Sequence, residues 1–462
     1  MIHIHTLKQL LLCSFLILSL TCSFSQQEVS MLFVGDVMQH DGQLKAAYNT
    51  KSNTYDYNDC FKFVKPIIEQ HDIAVANLEV THGGKPYKGY PQFTAPPALS
   101  SALKFAGFDV ILTANNHSCD KGSKGVIGTL DVLDELGLTH TGTFRNKAER
   151  DSTYPLILNK NGIRIALLNY TYGTNGLKVA KPLIINYIDS AMIAKDLAKV
   201  KTMNADQIIV FTHWGKEYLP LPDNYQKKWE AFIYRHGADM VIGGHPHVVQ
   251  PIERKKVENK DKFTVWSLGN HISNQRGRTK DGGLMVVATL EKKDNFTKIK
   301  NTGYFLNWVF PRKEGVLKPY YILPAYDYNA LYPQFLTPEE EAKMSLFLND
   351  SRKLLSENNI NVQECFLKNI PQAKAIVDKH LSEYFSVQVA KSNSPEIPEN
   401  IPQTLHTYIH RIALKDGSYV FVSGMCDDID SARGNLNFLT DCKLDNLQLI
   451  RVKPNFVILA EK

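Results

Sequence analysis

Six hydrophobic runs of the sequence end in carboxylate, amide or imidazole side chains, which are residue types that bind divalent metal ions. Imidazole binds transition metals such as zinc and iron, whereas carboxylates also bind harder cations such as manganese. Each residue taken alone is better explained as a satisfied core or loop residue, but the combination favours one ligand set. We predict a site for one or two divalent ions, manganese, zinc or iron, with these ligands: Asp36, Glu79, Asn116, His213, His245 and His247.

Two aromatic residues, Trp214 and Tyr218, follow His213 in the segment HWGKEY. One interpretation is that their rings form a wall for a bound substrate. The other is that they pack at the point where the strand ends. The sequence favours neither, so both residues are candidates for substrate binding.

The hydrophobic runs predict an α/β architecture, because they alternate with helical patterns from residue 29 to about residue 290. Functional side chains in such folds lie beyond the carboxyl ends of parallel strands, where the predicted ligands would meet. Helices are predicted at 125–136 and 225–236. The predicted strands are SMLFVG, DIAVANLE, FDVILTAN, GIRIALLNY, DQIIVFTHW, ADMVIGG, FTVWSLGN and GLMVVATL.

Six short motifs occur between residues 29 and 274, in the order GDVM, NLE, ANNHSCDKG, THWGKEY, GGHPHVVQPIE and SLGN. Together they resemble the CapA family of poly-γ-glutamate capsule synthesis proteins. That family is similar to the calcineurin-like metallophosphoesterases. The resemblance therefore implies a four-layer α/β/β/α sandwich, with two sheets flanked by helices and a dimetal centre at the strand ends.

The resemblance also implies a role for each predicted site residue. The ligands divide into Asp36 and His247 for the first ion, Glu79 as the bridging carboxylate, and Asn116, His213 and His245 for the second ion. His117 matches the histidine that stabilises the transition state or protonates the leaving group, a role that histidine suits because it titrates near neutral pH. The alternative is that His117 holds its loop by a hydrogen bond.

The sequence departs from the phosphoesterase pattern beside the first ligand. Those enzymes have a histidine two residues after the first aspartate, whereas here Met38 stands at that position and His40 follows two residues later. Glu79 is also one methylene longer than aspartate. Two functions stay open: a metal-dependent hydrolase, or a non-catalytic envelope scaffold or binding protein with a degenerate metal site.

The segment 384–462 predicts a small α+β domain in the order strand, helix, strand, strand, helix, strand, with LHTYIH as the first helix. Its short sequence motifs VQVA, GSYVFVSG and DSARGNL resemble those of a SPOR domain, which is a βαββαβ module. That resemblance implies binding to peptidoglycan glycan strands that lack stem peptides, with Gln388, Tyr419 and Phe421 as sugar contacts. The alternative is a generic ferredoxin-like domain in which these residues serve packing or self-association.

The rest of the chain divides into three further segments. Residues 1–25 predict a signal peptide, because a basic start precedes an apolar run and small residues precede Gln26. Lipidation at Cys22 is the less favoured alternative. Residues 26–336 form the CapA-like domain, and 337–383 are predicted as a helical linker whose helix opens at Thr337 and runs to about Glu357.

The net charge and the hydropathy of the chain limit the kinds of partner that it is expected to bind. The chain has 53 Lys and Arg against 47 Asp and Glu, a net charge of +6 without a block of like charges, which gives no support to nucleic-acid binding. No run after the signal peptide approaches the length of a membrane span. We therefore predict an exported protein of the periplasm or cell envelope, with an envelope polymer such as poly-γ-glutamate and peptidoglycan as partners.

Overall fold

The structure is a computed structural model of the 462-residue chain. It describes residues 27–294, 296–311, 320–325, 336, 338–370, 384–403, 405, 409–414, 416–426, 429–453 and 457–460. The predicted signal peptide lies outside the described residues. No helix within the described ranges is both long enough and apolar enough to cross a membrane.

The helices and strands follow the predicted alternation. The helices are α1 (Asp41–Ala47), α2 (Lys65–Ile68), α3 (Ala98–Ala106), α4 (Gly122–Glu135), α5 (Lys147–Thr153), α6 (Ser190–Lys201), α7 (Asn224–Arg235), α8 (Pro338–Asn358) and α9 (Ile429–Asp441). The strands are β1 (Gln27–Val37), β2 (Tyr48–Asn49), β3 (Thr54–Tyr55), β4 (Ile73–Leu78), β5 (Val110–Leu112), β6 (Thr139–Thr141), β7 (Thr143–Phe144), β8 (Leu156–Lys160), β9 (Ile163–Thr171), β10 (Ile184–Ile185), β11 (Gln207–His213), β12 (Met240–Gly244), β13 (Ile252–Val257), β14 (Lys260–Val265), β15 (Asn270–Ile272), β16 (Gly282–Lys293), β17 (Phe296–Phe310), β18 (Tyr321–Pro324), β19 (Gln363–Glu364), β20 (Tyr384–Ser392), β21 (Ile409–Ala413), β22 (Tyr419–Cys426), β23 (Gln448–Lys453) and β24 (Val457–Ala460). The eight predicted strands are present, although FTVWSLGN leaves the strand conformation after Val265.

The first sheet has the order β18-β17-β16-β1-β4-β5-β6, with β15 beside β1 and β19 beside β17. Strands β1, β4, β5 and β6 are parallel, whereas the pairs β1–β16, β16–β17 and β17–β18 are antiparallel. Helix α3 packs on this sheet, because its Leu99 and Leu103 are buried in the same core as Ile111 of β5. The parallel half of the sheet brings the carboxyl ends of β1, β4 and β5 to one edge.

The second sheet has the order β13-β14-β12-β11-β9-β8, and its four central strands are parallel. Alternate side chains of β11 point to opposite faces. Ile209 and Phe211 face the first sheet, where the ring of Phe211 lies 5.5 Å from the ring of Phe33. Ile208 and Val210 pack on the other face with α6 and α7. The two sheets and their helices therefore form the predicted α/β sandwich.

Helix α8 confirms the predicted helix, but its packing differs from that of a linker. Met344, Phe347 and Leu348 have the i, i+3, i+4 spacing of one helix face and are buried in the core of the first sheet. Strand β19 then pairs with β17, and Arg352 lies 2.9 Å from Glu364 in a buried ion pair. Residues 338–370 are thus part of the sandwich rather than a connection between two units.

The described C-terminal residues form an antiparallel sheet, β21-β22-β20-β23-β24, with α9 packed on it. Helix α9 matches the predicted second helix. The predicted first helix, LHTYIH, is wrong at its end because Ile409 and His410 begin β21, while residues 406–408 lie outside the described ranges. Strand β24 adds a pairing that the βαββαβ order did not include.

The three predicted sugar contacts do not share one face of this sheet. Gln388 pairs with Val422 and lies on the same face of the sheet as Val422. Tyr419 and Phe421 lie on the opposite face, which α9 covers. Phe421 is fully buried and offers no surface to a sugar, so it is a core residue. Register decides which faces of two strands coincide, and the sequence did not reveal it.

Candidate metal centre

The predicted ligands lie where the parallel strands of both sheets end. Asp36 lies near the end of β1, and Glu79 directly follows β4. His213 is the last residue of β11, and His245 and His247 follow β12. The first sheet therefore supplies carboxylates and the second supplies imidazoles, and both sets face the gap between the sheets.

The backbone is locally adapted to bring these ends together. A Cβ atom at Gly35 would lie 2.0 Å from the carbonyl oxygen of Gly269, so only glycine permits this approach. His245 and His247 have φ angles of 95° and 58°, a region that non-glycine residues rarely adopt. Backbone strain of this kind is concentrated at functional sites.

Two histidines lie between the two carboxylates. The His213 ring has Nε2 at 3.5 Å from Glu79 Oε1 and Nδ1 at 3.9 Å from Asp36 Oδ1. The His247 ring has Nδ1 at 3.2 Å from Asp36 Oδ2 and Nε2 at 3.7 Å from Glu79 Oε1. All four side chains are buried, so the cluster is compact and shielded from water.

His245 completes the cluster from the other side. Its backbone N–H donates to Asp36 Oδ2 at 3.2 Å, and its ring lies 4.8 Å from the His213 ring. Two groups can each place three ligand atoms within 4.8 Å of one another: Glu79 with His245 and His247, and Asp36 with Glu79 and His213. Glu79 belongs to both groups, which is the place of a bridging ligand.

The chemistry of the donor set fits a divalent cation. Both carboxylate oxygens of Glu79 and Nδ1 of His245 are buried and have no hydrogen-bond partner among the described residues. A buried carboxylate without a partner is costly, and binding a metal is one of the ways in which proteins stabilise such a group. The structure is therefore compatible with a metal site, while the identity and number of ions stay a prediction.

Electrostatics within the cluster are strongly coupled. Burial, together with the charge of Asp36, raises the pKa of Glu79 well above its ordinary value. Burial opposes ionisation of Asp36, but the hydrogen bond from His247 and the charge of His213 hold its pKa below the usual range. Burial lowers the pKa of His213 to about 4, whereas the carboxylates outweigh burial at His247 and raise its pKa to about 9.

Amide side chains hold the ligands in place. The Asn116 Oδ1 atom lies 2.7 Å from His213 Nε2, so this predicted ligand is adjacent to the cluster. Two further amides were not among the predicted ligands. Asn77 donates to Asp36 Oδ1 at 2.8 Å, and Asn270 Oδ1 lies 3.1 Å from His247 Nδ1. Their position at the ends of strands is the sequence signal that could have identified them.

His117 forms a dyad with Asp120. Its Nδ1 lies 2.8 Å from Asp120 Oδ2, and the same oxygen accepts the backbone N–H of Phe93 at 2.6 Å. With Nδ1 engaged, Nε2 is the nitrogen that can exchange a proton with a molecule in the adjacent cleft. Asp120 was not among the predicted site residues, and its contact with His117 depends on the geometry of the loop between β5 and α4.

A cleft of about 340 Å³ opens beside the cluster and is lined by His117 and His247. Tyr218 also lines it and is 44% exposed, as the wall interpretation requires. Trp214 is fully buried and donates its indole N–H to the carbonyl oxygen of Trp266 at 3.1 Å. For Trp214 the packing interpretation is therefore correct, and it does not contact a substrate in this cleft.

Met38 lines the same cleft and is buried. His40 does not replace the histidine expected at that position, because it belongs to neither of the two groups of closely spaced ligand atoms, and its Nδ1 accepts the backbone N–H of Asn274 at 3.3 Å. Its backbone N–H donates to Gln43 Oε1 within the first turn of α1. Burial lowers the pKa of His40 to about 4. The departure from the phosphoesterase pattern thus persists in three dimensions.

Comparison with known proteins places the chain in a family. The model of the bacterial capsule synthesis protein PGA_cap family matches residues 30–275. Capsule biosynthesis protein CapA of Bacillus anthracis is 30% identical over 346 residues, which cover 71% of this chain and 77% of that protein. The chain belongs to the PGA_cap family. The predicted resemblance to CapA proteins is confirmed.

Other known proteins are also similar to parts of this chain. PGA biosynthesis protein CapA of Bacillus subtilis (strain 168) is 29% identical over 276 residues, covering 57% of this chain and 68% of that protein. Among solved structures, NAD nucleotidase (NadN) of Haemophilus influenzae has a TM-score of 0.41 at 13% identity, covering 81% of this chain and 65% of that one. Calcineurin-like phosphoesterase YfkN of Bacillus subtilis has a TM-score of 0.37 at 14% identity, covering 61% and 90%. The PGA_cap match includes the six predicted ligands and His117.

Proposed function

We propose that this PGA_cap family member is exported and acts as a metal-dependent hydrolase on a capsule or envelope polymer, poly-γ-glutamate or another. The observation that carries the proposal is Glu79, whose buried carboxylate has no hydrogen-bond partner among the described residues and lies beside three histidines. Binding a divalent cation would offset the cost of burying this carboxylate, and a metal-dependent hydrolase would use that cation in catalysis.

The residues of the cleft can be given separate tasks. Asp36, Glu79, Asn116, His213, His245 and His247 would hold one or two ions. A bound divalent cation would supply Lewis-acid polarisation of a phosphoryl or acyl oxygen. His117, oriented by Asp120, would donate a proton through Nε2 to the leaving group. Tyr218 would contact the substrate at the exposed side of the cleft.

The proposal includes a tether to peptidoglycan through the SPOR-like segment 384–462. Two observations support this part of the proposal. The predicted second helix of the segment corresponds to α9, and α9 covers an antiparallel sheet. Gln388 and Tyr419 are both partly exposed and stay candidate contacts, on opposite sides of the sheet. Export through the signal peptide 1–25 would place this segment at the wall.

Metal analysis combined with an activity screen tests the proposal. The purified protein is loaded with manganese or zinc and assayed on phosphoesters, γ-glutamyl peptides and peptidoglycan fragments. We expect bound metal and turnover of one substrate class, both lost in Glu79→Gln. Glu69→Gln, an exposed glutamate outside the site, is the matched control. Absence of bound metal in the wild type would contradict the proposal.

The second candidate function is a non-catalytic envelope scaffold or binding protein. Met38 favours it, because a buried thioether stands where a phosphoesterase has a histidine. Bound metal without turnover of any of the three substrate classes would support this alternative. Activity restored or raised by Met38→His would instead support a weakened enzyme.

A further inference from the structure

Two cations line the same cleft as His117 and His247. Arg276 and Lys280 belong to the segment 273–281, here called the cationic loop, which follows β15. Among the described residues that line the cleft, Glu217 is the one carboxylate. The cleft therefore carries an excess of positive charge in addition to that of any bound ion.

Lys280 has no carboxylate of the described residues within ion-pair distance. Its Nζ lies 4.5 Å from the centre of the Tyr218 ring, a cation–π contact that positions the ammonium while leaving it open to solvent. Tyr218 is itself fixed, since it has a φ of 67° and its N–H donates to the carbonyl oxygen of Pro246 at 2.8 Å. Its ring lies 6.2 Å from that of His247.

Arg276 is held by neutral acceptors. Its Nε donates to Asn274 Oδ1 at 3.0 Å, and its two terminal nitrogens donate to the carbonyl oxygens of Ser273 and Val309 at 3.0 and 3.3 Å. The neighbouring acid Asp281 instead accepts hydrogen bonds from Arg278 and Trp308. The guanidinium is therefore oriented without an ion pair to a carboxylate of the described residues, although Asp281 is near enough to act on it through its charge.

Asn270 connects the cationic loop to the metal cluster. Its Nδ2 donates to the carbonyl oxygen of Lys280 at 2.9 Å and to Gln275 Oε1 at 3.3 Å. Its Oδ1 lies 3.1 Å from His247 Nδ1. One side chain thus fixes both a predicted ligand and the backbone that carries the two cations.

We propose that Arg276 and Lys280 form a subsite for an anionic group of the substrate, a carboxylate or a phosphate, held at a fixed position relative to the metal cluster through Asn270. The proposal rests on the proposed function in that it assumes a substrate in this cleft. Two preorganised cations without carboxylate partners favour an anion over a neutral group, because charge-assisted hydrogen bonds are stronger than neutral ones. Glu217, at the same cleft, would exclude anions from the remaining wall.

Calorimetric titration of the full mature chain tests this subsite. The probes are γ-linked hexaglutamate, the same oligomer with its free carboxyls amidated, and inorganic phosphate. The variant is Arg276→Met/Lys280→Met, which keeps apolar length and removes both charges. Lys227→Met on α7, an exposed lysine outside the cleft, is the matched control. Each titration is done with metal-loaded and with metal-free protein.

We expect the wild type and Lys227→Met to bind hexaglutamate at least tenfold more tightly than its amidated form, and the double variant to lose this preference with unchanged metal content. The same charge-dependent loss seen only for inorganic phosphate would assign the subsite to phosphate. Equal affinity of the double variant and the wild type for both anions would overturn the proposal. Because the metal-free arm needs no ion, failure of metal binding would remove the proposed function without obscuring this result.

Discussion

At the scale of single residues, His245 and His117 should be separable by experiment. His245 lies inside the cluster with Glu79, whereas His117 lies in the cleft and contacts Asp120. We expect His245→Ala to lower metal content and turnover together. His117→Ala should keep the metal and lose turnover by about 10²- to 10⁴-fold, the usual contribution of a general acid. Metal analysis and initial rates on the same preparations measure both; equal metal loss would mean that His117 is a ligand.

Asp120 provides a second test at this scale. Its carboxylate orients His117 and also accepts the N–H of Phe93, so it acts through another residue. We expect Asp120→Asn to lower kcat by about 10²-fold, within the range for general acid catalysis, with little change in KM or metal content. Asp134→Asn, an exposed carboxylate on α4, should behave as the wild type. A parallel loss of metal would show that Asp120 supports the cluster instead.

Residue types predicted which side chains form the cluster better than they predicted which residues hold those side chains in place. The six predicted ligands follow hydrophobic runs, and strand ends of parallel sheets meet in space, so their proximity could be inferred. The position of Asn270 beside a strand end could have identified it in the same way, whereas the contact of Asp120 with His117 depends on loop geometry. Trp214 shows the same limit, since the sequence places it beside Tyr218 but does not show which of the two is buried.

At the scale of elements, α8 should contribute to the stability of the sandwich. Phe347 is buried in the core of the first sheet, and its neighbour Leu346 is 50% exposed. We expect Phe347→Ala to reduce the free energy of unfolding by about 3–5 kcal/mol, whereas Leu346→Ala should change it by less than about 0.5 kcal/mol. Urea denaturation of the two variants measures the difference. Similar values for both would mean that α8 does not pack as described.

Element boundaries followed from the sequence where periodicity was clear. The capping pattern at Thr337 predicted where α8 begins, yet the partner of its apolar face is set by distant residues of the first sheet. For the segment around Ile409, the sequence did not determine the type of secondary structure. A short run of mixed residues fits a helix or a strand, and pairing with β22 decided for the strand.

At the scale of the whole molecule, metal should stabilise the sandwich because the two sheets supply different ligands. Asp36 and Glu79 come from the first sheet, and His213, His245 and His247 come from the second. An ion held between them links the sheets only in the folded state. At a free metal concentration 100 times Kd we expect about 2.7 kcal/mol of added stability. Thermal melts with and without chelator measure it, and Glu79→Gln should show no metal-dependent change in Tm.

The last prediction concerns where the whole molecule is retained. Segment 384–462 resembles a SPOR domain, so we expect the mature chain to bind purified peptidoglycan sacculi. Binding should increase after an amidase removes the stem peptides. A chain ending at Ile370 keeps the core of the sandwich and should lose this binding while keeping its metal.

Two substitutions refine the sacculus experiment. Gln388→Ala and Tyr419→Ala lie on opposite sides of the C-terminal sheet, so loss of binding in one of them alone would identify the glycan-facing side. Phe421→Ala removes a buried ring and serves as a folding control, with an expected loss of about 3–5 kcal/mol in the stability of this segment. Equal pull-down of the full and shortened chains would assign the segment to packing or self-association.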